Sequence, residues 1–274
     1  MNQTIWYISK YLVPKTYGSA GNRGYYLLEE FSKIGYKTIA ITSNSNNHAK
    51  FEHFGSRVTY QEIGNIQFIW LKTINYTVSK SLKRVLSWIH FEINLILLNK
   101  KNLPKPDYII ISSLSLLTIL NGIILKIRYR SKLIFEIRDI WPLSITEDGK
   151  FSKINPLILI LSVIESIGYR FSDLIIGTMP NLKEHVHNKI KKAPPIQCIP
   201  MGYSNTFLDT QEKIEEEYLK AYFNPNNFNI VYAGSIGLTN YLNPIFEAAK
   251  LLKAYEKIKF IIIGDGSHKN FYKE

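Results

Sequence analysis

The chain has 274 residues, of which 46% are hydrophobic, so it can bury a full core in one large or two smaller domains, and wholesale disorder is excluded. Lys and Arg number 34 against 22 Asp and Glu, a formal net charge of +12 that favours a nucleic acid, a phosphorylated ligand or an anionic lipid surface as partner. The single cysteine, Cys198, excludes an internal disulfide and fits a reducing compartment.

The N-terminal segment Met1–Ile8 has no basic region and no small-residue cleavage site, so we interpret it as a first strand rather than a signal peptide. No apolar run reaches the roughly 18 residues of a membrane-spanning helix. The longest, Pro156–Ile164, runs into Glu165. The sequence therefore predicts a cytoplasmic protein that can lie on the inner face of the cytoplasmic membrane.

The chain opens with a strand–loop–helix–strand pattern, which is typical of a doubly wound parallel sheet. Strand Thr4–Ile8 precedes a polar loop, and a helical pattern follows from Tyr25 to Ile34. The loop contains Gly18, Gly21 and Gly24, a spacing that differs from the G-x-G-x-x-G dinucleotide fingerprint. We interpret it as a phosphate- or substrate-facing loop at a helix N-terminus; the alternative is a flexible surface loop.

Further apolar runs complete a first α/β domain. The predicted strands are Ile66–Leu71, Asp107–Ile111, Lys132–Arg138, Asp173–Gly177 and Ile196–Pro200, and the predicted helices are Lys80–Leu98, Ser112–Arg128, Pro156–Phe171 and Asn181–Lys189. Residues 43–57 are polar and are predicted to be irregular. The Lys80–Lys101 segment has basic ends and a wide apolar face, which suits an interfacial helix on an anionic bilayer. The alternative is a core helix with solvated ends.

The stretch Phe135-Glu136-Ile137-Arg138-Asp139-Ile140-Trp141-Pro142 places charges at the end of a predicted buried strand. Open α/β sheets bind their ligands at the carboxyl ends of parallel strands, so this stretch is a candidate site. The alternative is a structural ion pair that orders the following loop.

A second β–α–β pattern begins after a change of composition near residues 204–226. Strands Phe228–Tyr232 and Ile258–Ile263 flank a helix from Asn243 to Ala254, and glycines stand at both strand ends. A βαβ pair cannot cover both faces of a sheet, so we expect about half of a second domain to be absent.

Four segments carry a family resemblance. They are Phe135–Pro142, Ile199-Pro200-Met201-Gly202, Tyr232-Ala233-Gly234-Ser235-Ile236-Gly237 and Ile263-Gly264-Asp265-Gly266. In this order and spacing, over nearly the whole chain, they resemble bacterial family 4 glycosyltransferases of the two-Rossmann-domain (GT-B) type, from the sugar-polymer assembly group. The resemblance implies a complete N-terminal acceptor-side Rossmann-like domain (residues 1–203), a linker (204–226) and an incomplete C-terminal nucleotide-sugar-binding domain (227–274).

The resemblance also implies site residues. Those at the reaction centre are Arg23, Arg138 and Asp139; those that bind substrate are Gly18, Gly21, Glu136 and Trp141; those that bind the donor are Gly202, Gly234, Ser235, Gly237, Asn240, Gly264, Asp265 and Gly266. It implies a retaining enzyme with no metal ion or other cofactor. The sequence contains no His/Cys cluster, and His185 and His187 should point to different sides of a helix.

Two features depart from the family pattern. Where many relatives carry an Arg and a Lys after the donor-domain glycine loop, this chain has Leu238-Thr239-Asn240-Tyr241. The acidic segment with two glutamates eight positions apart would lie beyond residue 274. We therefore expect a fragment, a truncated product or one half of a split enzyme.

The leading hypothesis is transfer of a sugar from a UDP- or GDP-linked donor to a lipid-linked saccharide at an anionic membrane surface, as in O-antigen (lipopolysaccharide) or capsule synthesis. The alternatives are a non-catalytic remnant that binds the acceptor or the membrane, and a nucleotide-sugar epimerase of the same architecture. No nucleic-acid partner is expected, because the chain has no recognised nucleic-acid-binding motif.

Overall fold

The computed structural model of the chain describes residues 3–17, 22–45, 55–76, 82–147, 152, 154–202, 213–237 and 240–273. The chain divides into two compact units, Met1–Tyr203 and Ser204–Glu274. Each unit has a β-sheet of its own.

The first unit is built on an eight-stranded sheet. Its strands are β1 (Thr4–Ile8), β2 (Lys37–Ser43), β3 (Val58–Ile63), β4 (Ile66–Leu71), β5 (Tyr108–Ser112), β6 (Lys132–Ile137), β7 (Leu174–Gly177) and β8 (Ile196–Cys198). Its described α-helices are α1 (Arg23–Lys33), α2 (Leu82–Leu97), α3 (Thr118–Tyr129), α4 (Leu143–Glu147), α5 (Pro156–Phe171) and α6 (Leu182–Lys189). The strand order is β3-β4-β2-β1-β5-β6-β7-β8, and every neighbouring pair is parallel except β3 and β4.

The central strands of this sheet are apolar on both sides because helices or loops cover both faces. Alternate residues of a strand point to opposite faces. In β1, Trp6 and Ile8 join the core that α2, α3 and α5 cover. Ile5 and Tyr7 join the core beneath α1. The parallel strands also bring their carboxyl ends to one edge of the sheet, where the candidate site residues stand.

The second unit contains a parallel pair of strands, β9 (Phe228–Ala233) and β10 (Ile258–Ile263), with helices α7 (Glu216–Tyr222) and α8 (Asn243–Leu251). The register pairs Phe228 with Ile258 and Ala233 with Ile263, so both strands end level. The loops that follow them are therefore neighbours. Together the two units confirm the predicted α/β architecture of one full Rossmann-like sheet and a short second sheet.

Two elements were missed by the sequence analysis, namely strand β3 and the short helix α4. Strand β3 is an edge strand that mixes polar and apolar residues without regular alternation, and it pairs antiparallel with β4. Ile63 and Ile66 are partners in this pairing, so Gly64 and Asn65 form a two-residue hairpin turn, and Gly64 has a φ of +57°. A Gly-Asn dipeptide between two such runs is a hairpin signal that the sequence contained.

Glu92 is a partly buried carboxylate that joins α2 to α3. It accepts hydrogen bonds from Thr118 Oγ1 and Asn121 Nδ2, both at 2.6 Å. Burial raises the pKa of Glu92 from 4.5 to about 7, although these hydrogen bonds act in the opposite direction. In the part of the chain that the structure describes, no basic side chain forms an ion pair with Glu92.

We predict that Glu92 makes the first unit less stable as the pH rises. Between pH 4.5 and 7 the folded protein keeps a proton on Glu92 that the unfolded chain has released, so the free energy of unfolding falls across this range, by at most about 3 kcal/mol. In urea unfolding between pH 5 and 8, the free energy of unfolding of Glu92→Gln should vary less with pH than that of the wild type. At pH 8 it should be higher than that of the wild type. The exposed Glu62→Gln is the control, and equal pH profiles for Glu92→Gln and the wild type would contradict the prediction.

Candidate functional site

A buried carboxylate at the end of β6 is the centre of the candidate site in the first unit. Glu136 is 0% exposed. Its Oε1 lies 2.8 Å from Arg23 Nε, and its Oε2 accepts a hydrogen bond from the hydroxyl of Tyr7. These bonds join β6, the first residue of α1 and the carboxyl half of β1. We name this group of three side chains the Glu136 junction.

Arg23 reaches beyond the junction to the segment after β8. Its Nη1 donates to the carbonyl oxygen of Pro200 at 2.8 Å. Its Nη2 is buried and has no acceptor among the described residues. The guanidinium is therefore fixed on two sides, at the N-terminus of a helix, with one donor left for a further group.

Gly24 lets α1 approach the sheet closely enough for the junction to form. A Cβ atom at this position would stand 2.6 Å from ring carbons of Tyr7, which is closer than real Cβ atoms come. Burial, followed by the charge of Glu136, raises the pKa of Tyr7 well above its usual value. Tyr7 thus stays protonated and serves as a donor to Glu136.

The residues directly after β6 are held by Ser113. The Ser113 hydroxyl accepts from the backbone N–H of Arg138 at 3.0 Å and donates to the carbonyl oxygen of Asp139 at 3.1 Å. Arg138 is half-buried, and Asp139 is exposed. Within the described ranges no ion pair engages either side chain. A cation and a carboxylate thus stand on a fixed backbone turn at the carboxyl edge of the sheet.

Trp141 lies further along the same turn and is half-buried. Its ring meets that of Trp88 in α2 edge to face, with the ring centroids 5.6 Å apart. This contact joins the end of β6 to the start of α2.

A basic and aromatic cluster that was not predicted from the sequence lies at the same edge of the sheet. It consists of Lys10, Tyr11, Tyr76, Arg84 and Trp88, which we name the Lys10 cluster. A signal for it was present, because Lys10 and Tyr11 come two and three residues after a predicted strand, and parallel strands bind ligands at their carboxyl ends.

The donor-site residues predicted for the second unit meet one another after β9 and β10. The N–H of Gly234 donates to the carbonyl oxygen of Ile263 at 2.9 Å, and the N–H of Ile236 donates to that of Asp265 at 2.9 Å. A Cβ atom on Gly264 would overlap the carbonyl oxygen of Gly234. Only glycine allows these two turns to lie so close together.

The remaining donor-site residues of this unit line the same two turns. Ser235 is exposed, and Asn240 is exposed and donates from Nδ2 to the hydroxyl of Tyr232 at 3.1 Å. The carboxylate of Asp265 accepts from the N–H of Gly266, which together with nearby Lys269 lowers the pKa of Asp265. Gly237 follows Ser235 in the loop after β9.

Other predicted residues do not join these groups. Gly18 and Gly21 lie outside the described residues. Gly202 is exposed, with no atom near its Cβ position. Among the described His, Cys, Asp and Glu residues, no group of three or more could hold a metal ion. Of the helices that the structure describes, none combines the length and hydrophobicity needed to cross a membrane.

Comparison with solved structures places the fold among the GT-B glycosyltransferases. A structure described as trehalose-6-phosphate from E. coli bound with UDP-2-fluoro glucose matches with a TM-score of 0.66 and 14% identity, over 98% of this chain and 66% of that one. The catalytic domain of starch synthase IV from Arabidopsis thaliana, bound to ADP and acarbose, matches with a TM-score of 0.67 and 10% identity, over 100% and 71%. Anabaena Alr3699/HepE in complex with UDP and glucose matches with a TM-score of 0.55 and 12% identity, over 99% and 64%.

At these identities the likeness concerns the fold, and the predicted GT-B-like architecture is confirmed. The chain spans about two thirds of the length of these proteins. No protein-family model and no curated protein matches its sequence.

We predict that loss of the Glu136 carboxylate weakens the first unit strongly. Glu136→Ala would leave a buried guanidinium and the Tyr7 hydroxyl without their acceptor, so the free energy of unfolding should fall by about 3–5 kcal/mol. Glu136→Gln keeps the shape and should cost less. Urea denaturation measures both, with Glu30→Ala as the control, because Glu30 forms only an exposed ion pair with Lys33. Wild-type stability of Glu136→Ala would refute a structural role for the junction.

Proposed function

We propose that the chain is a glycosyltransferase that uses a nucleotide-sugar donor. The observation that carries this proposal is that the predicted site residues after β6, β9 and β10 stand at the carboxyl ends of parallel strands, within a fold that matches GT-B enzymes over nearly the whole chain. Ligands of open α/β sheets bind at such strand ends.

The donor would bind at the glycine turns of the second unit. Backbone N–H groups of a glycine loop can approach a diphosphate closely, and no side chain competes for the space. Two of the similar structures contain uridine nucleotides or their sugars, so UDP-glucose is the first donor to test, with a GDP-sugar as the second.

Transfer breaks the bond between the sugar C1 and the diphosphate oxygen and forms a bond from C1 to an acceptor oxygen. Negative charge develops on the leaving diphosphate, and a diphosphate oxygen takes the proton that the acceptor hydroxyl loses. Fixed cations stabilise such charge most effectively when they need no rearrangement. In our proposal Arg23 and Arg138 are the cations of the first unit that act in the transfer, and the exposed carboxylate of Asp139 accepts a hydrogen bond from a sugar hydroxyl.

Glu136 has a different role in this scheme from the substrate contact that the sequence suggested. Each of its oxygens already accepts a bond from a protein group, and the side chain is buried. We therefore assign Glu136 as a positioning residue that holds Arg23.

We predict that Arg138→Ala lowers nucleotide release by about 100-fold or more, since removal of one preorganised charge-stabilising group from a transfer site typically costs this much. The assay measures UDP released from UDP-glucose, and GDP from GDP-mannose, with and without a lipid extract that contains lipid-linked saccharides. Lys132→Ala is the matched control, because it removes the same charge from the opposite end of β6.

Release that depends on the acceptor and falls in Arg138→Ala alone would support the proposal. Acceptor-independent release would indicate a hydrolase instead, and conversion of the donor sugar without net nucleotide release would indicate an epimerase. Wild-type activity in Arg138→Ala would remove Arg138 from the reaction, and no release with either donor would contradict transferase activity of this chain.

We further propose that the acceptor is a lipid-linked saccharide, as in O-antigen or capsule assembly, and that helices α2, α3 and α5 rest on an anionic membrane. These three helices are neighbours over one core. Their exposed apolar side chains are Leu86, Ile89, Ile93, Ile96 and Leu97 in α2, Leu120, Ile124 and Ile127 in α3, and Leu157, Leu159, Ile160, Val163 and Phe171 in α5. We name this surface the three-helix face.

The charges around the three-helix face match an anionic surface. The only acidic residues of α2, α3 and α5 are Glu92 and Glu165, and both hydrogen-bond to groups inside the unit. Exposed basic residues stand at the ends of these helices, namely Lys83, Lys101, Arg128 and Arg170. Each basic residue near an anionic lipid surface adds about 1 kcal/mol of attraction, and burial of the apolar side chains in the lipid stabilises binding further.

We predict that Ile89→Glu with Ile93→Glu weakens vesicle binding about tenfold or more, because two apolar side chains would be replaced by carboxylates facing the lipid. Flotation with vesicles containing phosphatidylglycerol measures this. Ile34→Glu is the matched control, since Ile34 is equally apolar and well exposed but follows α1, on the other side of the sheet. Binding that is insensitive to salt, or equal in the double variant and the wild type, would contradict the proposed face.

A further inference from the structure

A shallow groove runs along the outer surface of α5. It has a volume of about 350 Å³ and is lined by Leu159, Ser162, Val163, Ser166, Ile167 and Arg170. Leu159 and Val163 are more than half exposed and belong to the three-helix face. The groove is therefore continuous with the surface that we propose to rest on a membrane.

The groove exists because two of its residues have short side chains. Ser162 and Ser166 are four positions apart, so they are neighbours on one side of the helix. Ser166 Oγ donates to the carbonyl oxygen of Ser162 at 2.9 Å, and Ser162 Oγ accepts from Lys189 Nζ at 2.7 Å. Because both hydroxyls already have partners within the protein, the groove suits an apolar occupant better than a sugar.

The charges beside the groove are positive. Arg170 stands at its C-terminal end and is exposed, and no carboxylate of the described residues forms an ion pair with it. The acidic residue of α5, Glu165, is 1% exposed and faces the protein. There its carboxylate lies 2.7 Å from His185 Nε2 and 3.1 Å from Lys189 Nζ. The groove thus offers a cation at one end and no carboxylate among its lining residues.

We propose that the groove binds one acyl chain of an anionic phospholipid, with the lipid phosphate at Arg170. Leu159 and Arg170 are eleven positions apart, which corresponds to about 16 Å along a helix. One lipid chain spans a similar length, since the hydrocarbon core of a bilayer holds two layers of chains in about 30 Å. The guanidinium binds the phosphate by charge-assisted hydrogen bonds, and the groove removes the chain from water.

The choice of a membrane lipid as occupant rests on the proposed contact between the three-helix face and an anionic membrane. Binding of a single dissolved lipid needs neither that contact nor a transfer reaction. The lipid site and the proposed function can therefore fail separately.

Calorimetric titration of the full chain with myristoyl lysophosphatidylglycerol, kept below its micelle concentration, tests the site with one acyl chain and one phosphate. We expect saturable binding at a single site. Myristoyl lysophosphatidylcholine carries the same chain, but its choline offsets the phosphate charge, so it should bind about fivefold more weakly.

Ser166→Leu tests the groove itself. The longer side chain should fill the groove and weaken lysolipid binding about tenfold or more, because two or more methylene groups of the lipid would return to water. The same variant adds apolar surface to α5, so it should still float with vesicles that contain phosphatidylglycerol. Ser32→Leu is the matched control, because Ser32 is a half-buried serine of α1, on the other side of the sheet.

Arg170→Gln tests the position of the phosphate and leaves the groove open. It should abolish the preference for the glycerol headgroup over the choline headgroup. Arg130→Gln is the control, because it removes an exposed arginine that follows α3 and lies outside the groove. It should keep the wild-type preference.

Equal lysolipid binding by Ser166→Leu and the wild type would overturn the proposal, as would a wild type that shows no saturable binding. An unchanged headgroup preference in Arg170→Gln would overturn the placement of the phosphate. Sedimentation equilibrium without lipid tests the other occupant, a second copy of the chain. A dimeric wild type and a monomeric Ser166→Leu would assign the groove to that copy and overturn the lipid site.

Discussion

The buried carboxylate of Glu136 is the constraint on which the geometry of the first unit depends. A carboxylate at the end of a parallel strand must receive hydrogen bonds when water is excluded, and here Tyr7 and Arg23 provide them. This requirement fixes α1 against β1 and β6, and it demands glycine at position 24 so that the helix can come close enough. Because Arg23 also holds the carbonyl of Pro200, the segment after β8 is tied to the same point. One desolvated group therefore sets the relative positions of four parts of the chain.

The positions of the charged residues in the first unit say more about possible partners than the net charge does. A net charge of +12 is compatible with many anionic partners. In the folded first unit, the acidic residues of α2, α3 and α5 form hydrogen bonds within the protein, so that the surface of these helices is apolar and basic. At the carboxyl edge of the sheet, Lys10, Arg84 and Arg138 stand near backbone turns and aromatic rings. The basic residues of the first unit are thus divided between the ends of these helices and the carboxyl edge of the sheet.

The sequence predicted most strands of the first unit and the polar residues that end them, because these features are local. The apolar runs of β1, β5 and β6 and the polar residues that end β6 are visible within a few positions. Pairings between distant residues are not visible in this way. Glu136 and Arg23 are 113 positions apart, so the sequence alone left a substrate contact and a structural ion pair as alternatives for this stretch. Strand β3 was missed because three of its six residues, Thr59, Gln61 and Glu62, are polar, so it has neither an apolar run nor the regular alternation that indicates a strand.

Strand β1 links the Glu136 junction and the Lys10 cluster. Tyr7 contributes to the Glu136 junction, and Lys10 lies three residues further along, at the centre of its own cluster. The contact between Trp88 and Trp141 makes a second link, from α2 to the turn that carries Arg138. Sites on packed strands and helices keep their geometry better than sites on free loops. The turn that carries Arg138 is held in this way on two sides, by the hydroxyl of Ser113 and by the contact between Trp88 and Trp141.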